Sequence, residues 1–177
     1  MCVIETTPRI ETRRLTLRAP QMDDAGRLAE LCNDFDISRM TSRMPWPYAR
    51  GDAEDFIARC AIADRRTEVN FLIDHDDAGV VGGLGFDRNA EGAIEVGYWI
   101  GKPYQGRGLA SEALVGAMDW AARSWKKRVV TAGHHSDNPA SGRVLCRAGF
   151  LYTGRIELRD SLARGETVPC RMMVWLP

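Results

Sequence analysis

The stretch Tyr104-Gln105-Gly106-Arg107-Gly108-Leu109-Ala110-Ser111-Glu112-Ala113 decides how this chain is read. It follows an apolar, strand-like run from Ala93 to Ile100. It leads into a helical stripe formed by Ala110, Ala113, Leu114, Ala117, Met118 and Ala121. Two glycines at a strand-to-helix junction leave backbone N–H groups uncovered where a helix N-terminus is partly positive. Such a junction suits phosphate oxygens. A phosphate-bearing cofactor is the first expectation.

Two familiar phosphate loops do not fit. A dinucleotide fingerprint needs G-x-G-x-x-G/A, and Gly106-x-Gly108 is followed by Ser111 in the third place. Gly101 to Gly106 has the spacing of a Walker loop, but Arg107 and Gly108 stand where Lys and Ser/Thr are required, so no hydroxyl is left for Mg²⁺. The pattern that does fit is Q-x-x-G-x-A, carried by Gln105, Gly108 and Ala110.

That pattern resembles the acetyl-CoA pyrophosphate loop of the GNAT N-acetyltransferases. The longer stretch E-V-G-Y-W-I-G-K-P-Y-Q-G-R-G-L-A-S-E-A, Glu95 to Ala113, resembles one branch of that family, the ribosomal-protein N-terminal alanine acetyltransferases and their relatives. Glu11 to Pro20 (E-T-R-R-L-T-L-R-A-P) is similar to the branch's first strand. Asn138-Pro139-Ala140-Ser141, followed by Gly149-Phe150, is similar to its N-x-x-S…G-F element.

The resemblance implies an α/β fold with a mostly antiparallel, splayed sheet and helices on both faces. It implies acetyl-CoA as co-substrate, with no metal, and direct attack by a primary amine in a ternary complex. The amine belongs to a protein N-terminus or a small molecule. A catalytically weak CoA-binding regulatory module is the alternative. The cofactor contacts implied are Tyr98, Trp99, Ile100, Gln105, Gly106, Arg107, Gly108, Leu109, Ala110, Ser111, Asn138 and Ser141. Backbone N–H groups near Trp99 and Ile100 would polarise the acetyl carbonyl.

Composition is ordinary for a soluble globular protein. A chain of 177 residues suits one domain, 1–177, and apolar residues make up 45%. Lys+Arg and Asp+Glu both total 24, which gives no ground for a nucleic-acid or membrane partner. The cysteines Cys2, Cys32, Cys60, Cys146 and Cys170 are scattered and odd in number, which favours a reducing cytoplasm over a disulfide framework. With only His75, His134 and His135 beside them, a metal site is not expected. The N-terminus, with Glu5 and Arg9, lacks the apolar core of a secretion signal. Monomer and homodimer stay open.

Strands are expected at Arg14–Arg18, Val69–Ile73, Val80–Phe86, Ala93–Ile100, Lys127–Ala132, Leu151–Leu158 and Val168–Trp175. Helices are expected after Asp23 or Asp24, after Gly51, after Gly108 and after Asn138, with Pro139 at the first helical position. Asn33 to Arg50 reads as a loop. Gly97, inside a strand, suggests a bulge or a close backbone approach.

Glu95 is the candidate base, because a carboxylate within an apolar strand is costly unless it is paired or faces a cleft. It alternatively orients the amine or pairs with an arginine on the next strand. Asn138 is a ready helix N-cap and, by resemblance, also a pantetheine contact. Many relatives place a tyrosine beside the leaving sulfur at the position occupied here by Leu145. With that tyrosine absent, the resemblance implies Ser141 as its replacement, hydrogen-bonding the departing thiolate; Ser141 is alternatively an ordinary polar residue of the first turn. Trp46, Tyr48 and His134 are candidate substrate contacts; Trp46 and Tyr48 alternatively anchor their loop on the core, and His134 alternatively has a structural or solvent role. The charged segment Arg159 to Glu166 is expected to form the opposite wall.

Overall fold

Alternation lays out the first strands. In β2 (Leu15–Arg18), Leu15 and Leu17 are buried while Thr16 and Arg18 are not. The computed structural model describes residues 6–177, so Cys2 and Glu5 lie outside the described residues. A short β1 (Ile10–Glu11) precedes β2, and a meander follows: β3 (Val69–His75), β4 (Gly79–Arg88) and β5 (Ile94–Ile100). The remaining strands are β6 (Val130–His135), β7 (Leu151–Ser161) and β8 (Glu166–Trp175). All join in one eight-stranded sheet in the order β1-β2-β3-β4-β5-β6-β8-β7. Every neighbouring pair is antiparallel except β5 and β6.

Helices cover both faces, because the central strands are apolar on both sides. Helix α4 (Leu109–Arg123) and α5 (Pro139–Arg147) close one core with Phe71, Phe86, Leu114, Met118, Leu145 and Met173. Trp120 stacks on Trp125 in that core, ring centroids 5.3 Å apart. Helices α1 (Ala25–Cys32) and α3 (Arg50–Ile62) close the other core with Leu28, Ile57 and Leu72. Full burial of one such side chain contributes roughly 1.5–3 kcal/mol. Among the described residues, no helix is long and apolar enough to cross a membrane.

Several elements depart from the sequence reading. The expected loop Asn33–Arg50 holds a short helix, α2 (Phe35–Ser38), capped by the Asp34 carboxylate on the N–H of Asp36. Asp24 stands at the N-cap of α1 but does not cap it, because its carboxylate accepts from Gln21 N–H and from Arg18. Strand β6 starts at Val130 rather than Lys127: the N–H of Lys127 still bonds Ala121 O, and Lys126 turns the chain with φ 57°. Gly97 marks no bulge. The β4–β5 register runs unbroken through Gly85↔Gly97, and space is open where a Cβ would stand.

Candidate active site

The parallel strands β5 and β6 pair at one point, Glu95↔Thr131, and then separate. Hydrogen-bond phase decides what the gap exposes. Asn89 N–H donates to Ala93 O and Gly101 N–H to Val81 O, both at 2.8 Å. Antiparallel ladders alternate, so the odd residues of β5 bond to β4 and the even ones face β6. The main-chain groups of Tyr98 and Ile100 thus open into the gap, while Trp99 N–H is directed to β4. Of the two amides expected near the thioester, that of Ile100 opens into the gap and that of Trp99 does not; that of Tyr98 does.

The glycine loop follows the C-terminal end of β5, past the short turn Lys102–Tyr104. Gly106 (φ 75°) and Gly108 (φ 77°) both adopt the left-handed conformation that favours glycine. Gly108 occupies the N-cap of α4 without a side chain, leaving the first-turn N–H groups of Leu109, Ala110 and Ser111 uncapped. Ser111 Oγ is buried and finds no hydrogen-bond partner among the described residues. A buried orphan hydroxyl beside uncapped amides is what a phosphate acceptor would complete, so these residues fit a CoA pyrophosphate. Gln105 does not reach outward: its Nε2 donates to Ile100 O at 2.9 Å and ties loop to strand. Arg107 lies over the Tyr104 ring, 5.9 Å from its centroid.

Glu112 anchors this loop from behind. It accepts from Thr12 Oγ1 at 2.8 Å, from Arg14 N–H at 2.7 Å and from Arg14 Nε at 2.8 Å. Arg14 also donates to Arg107 O at 3.3 Å. Burial works to raise the Glu112 pKa, but the hydrogen bonds from Thr12 and Arg14 outweigh it and hold the carboxyl below its ordinary 4.5.

Across the gap, Asn138 caps α5 as expected, accepting from Ser141 N–H at 3.2 Å. Ser141 Oγ lies 2.8 Å from the Tyr98 hydroxyl, which also reaches Ser141 O at 2.9 Å. Leu145 is buried in the core under α4 and α5 and brings no polar group to the gap.

The opposite face of β5 carries Glu95, Gly97 and Trp99. Both Glu95 oxygens are bound by the Arg159 guanidinium, Oε2 at 3.0 Å from Nη2 and Oε1 closely by Nη1. Arg159 also holds Glu157 at 3.0 Å. Asn89 Nδ2 stands 3.5 Å from both Glu95 Oε2 and Thr131 Oγ1. Glu95 is paired with an arginine, as one of its three readings had it, but the partner stands on β7, beyond β6 and β8, and not on the next strand.

Two segments wall this face. Arg43, in the loop after α2, pairs with Asp87, which sits opposite Glu95 in the register. The tip of the β7–β8 hairpin is fastened to the same loop: Ser161 Oγ donates to Thr41 O, Leu162 N–H to Ser42 O, and Arg164 Nε to Arg39 O. This charged tip is therefore built in, not merely solvated. Trp46 is exposed on that loop, edge-on to Phe35 with centroids 5.1 Å apart.

Two substrate candidates are buried, in line with the alternative reading of each. Tyr48 is only 8% exposed and packs in the core under α1 and α3, so it anchors its loop. His134 shares its face of β6 with Val130 and Ala132, the face covered by α5 and opposite to Glu95. It is 4% exposed and engaged on both ring nitrogens, with His135 O and the Tyr152 hydroxyl, each at 2.9 Å. Sequence reasoning did not single out Arg159 as a partner for Glu95. The signal was present, since Glu157 and Arg159 alternate onto one face of their strand.

A family model for an acetyltransferase (GNAT) domain matches residues 14–151. The chain is 27% identical over 167 residues to the N-acetyltransferase p20 of Bacillus licheniformis, covering 91% of this chain and 92% of that protein. It is 28% identical over 158 residues to the ribosomal protein uS5-alanine N-acetyltransferase of Escherichia coli K12, covering 82% and 79%. The fold matches that of spermidine N-acetyltransferase from Vibrio cholerae, solved with CoA and spermine. That match has a TM-score of 0.77 at 20% identity and covers 92% of this chain and 95% of that one.

Proposed function

The chain belongs to the GNAT acetyltransferase family, and from that premise we propose that it moves the acetyl group of acetyl-CoA to a primary amine within a ternary complex. The observation that carries this reading is the single-point contact of β5 and β6, which opens amides of Tyr98 and Ile100 beside the glycine loop. The first-turn amides after Gly108, together with Gly106, Arg107 and Ser111, would hold the pyrophosphate. Asn138, with its amide NH₂ still available, would hold the pantetheine arm. Ser141 would hydrogen-bond the departing thiolate.

The amine approaches from the Glu95 face. With Arg159 on both oxygens, the carboxylate keeps lone pairs for one more donor, the amine itself or the water that takes its proton. The open space at Gly97 lies next to it on the same face. The acceptor belongs to a protein N-terminus, as for the uS5-alanine relative, or to a small amine, as for the spermidine enzyme. Residues 1–177 act in this reading as one cytoplasmic catalytic domain, monomeric or dimeric, without nucleic acid.

Thiol release from acetyl-CoA, measured against a panel of N-terminal peptides and polyamines, tests the reading. Amine-dependent release from at least one class is expected. Tight CoA binding with no release above background across the panel would overturn it in favour of a binding module.

A further inference from the structure

We propose that Tyr98 is a positioning residue for the leaving thiol, acting through Ser141; this rests on the assignment of Ser141 made above. The α5 position where relatives are expected to carry a tyrosine holds Leu145, 1% exposed and packed in the core. A tyrosine nevertheless reaches that helix, from the strand instead. The other residues on its face of β5, Ile94, Val96 and Ile100, are apolar and join the core. Phenylalanine would fill the same space, so the hydroxyl is the feature to explain.

Counting hydrogens shows how the pair is wired. The Tyr98 hydroxyl lies 2.9 Å from Ser141 O, which can only accept, and 2.8 Å from Ser141 Oγ, which can do either. Tyr98 therefore donates to the carbonyl, and Ser141 Oγ–H donates to Tyr98. Ser141 is held at two points, since its N–H is bonded to Asn138 Oδ1. Burial pushes the Tyr98 phenol up to about 12, partly offset by its bond with Ser141, so it stays protonated and serves as a donor.

When the C–S bond breaks, the electron pair stays on sulfur. Ser141 O–H then turns from Tyr98 to the thiolate, and Tyr98 O–H turns from the carbonyl to Ser141 Oγ. No O–H bond breaks; the proton that completes the thiol comes from the acceptor's ammonium group through water. A hydroxyl that accepts a hydrogen bond is a stronger donor, which is what Tyr98 gives Ser141 at that moment.

The test is a cycle of Tyr98→Phe, Ser141→Ala and the double variant, each assayed for kcat and for KM of acetyl-CoA at saturating amine. Ser141→Ala is expected to lower kcat by about 10-fold and Tyr98→Phe by about 5-fold, with KM for acetyl-CoA within about 2-fold. Adding Tyr98→Phe to Ser141→Ala should cost nothing further. A slow Ser141→Ala with a wild-type Tyr98→Phe overturns the role of Tyr98 and leaves that of Ser141 standing. A wild-type Ser141→Ala overturns both. Full additive loss in the double variant overturns action through Ser141. If Tyr98→Phe does not fold, 3-fluorotyrosine at position 98 keeps the shape and sharpens the donor. A raised kcat then supports the proposal, and an unchanged or lowered one overturns it.

Discussion

On the α5 side of β5, the groups offered to a ligand are mostly main-chain: the amides of Tyr98 and Ile100, and the uncapped first turn after Gly108. On the other side they are charged side chains, Glu95 with Arg159 and Asp87 with Arg43, drawn from four separate segments. Main-chain recognition depends on backbone conformation and tolerates many side chains. Side-chain recognition depends on identity and charge. A donor shared by many enzymes suits the first construction, and an acceptor that differs among them suits the second.

Substitutions can break this division. Gly108→Val forces a β-branched residue to a φ of 77° at the head of α4. The acetyl-CoA dissociation constant, by calorimetry, is expected to rise roughly 100-fold as the loop rearranges. The space around Gly108 is otherwise open, with Arg14 Nη2 the nearest group at 3.8 Å, so the effect comes from conformation and not from a clash within the protein. An unchanged constant would mean that the loop amides do not carry the pyrophosphate.

Glu95→Gln probes the other side. It keeps the shape and removes the charge, so kcat/KM for the amine should fall about 10-fold or more while CoA affinity holds. Parallel loss of CoA binding in this variant would erase the division between the faces.

The smallest expected effect sharpens the comparison instead of breaking it. Glu112 supports the loop from behind, so Glu112→Gln should act on stability, lowering it by about 1–2 kcal/mol at neutral pH. Its folded pKa lies below the ordinary 4.5, so its contribution is present above that value and lost as the pH falls through the folded pKa. Urea melts of variant and wild type should therefore separate at neutral pH and converge in acid. A gap that persists in acid would assign the loss to packing.

The same division explains what the sequence disclosed. The loop from Gln105 to Ser111 was legible because its glycines, its strand and its helix are contiguous, and the φ values of Gly106 and Gly108 agree with that reading. Asn138 was legible for the same local reason. The Glu95–Arg159 pair spans 64 residues and depends on the order in which β6, β8 and β7 join the sheet, which no local pattern states. For Tyr48 and His134 both readings stayed open, because residue type alone does not tell whether a side chain turns into the core. The α2 helix escaped notice because four residues are too few for a periodic pattern.

The parting of β5 from β6 has a consequence for solubility. Unpaired strand edges at the rim of a sheet recruit other chains and seed aggregation. Here the unpaired stretch lies inside a wedge that closes at Glu95 and Thr131, with Tyr98 reaching across to α5 on one side. A strand from another chain would have to enter this wedge to pair there, instead of adding to an open rim. The protein thus keeps a hungry edge within itself and away from its neighbours.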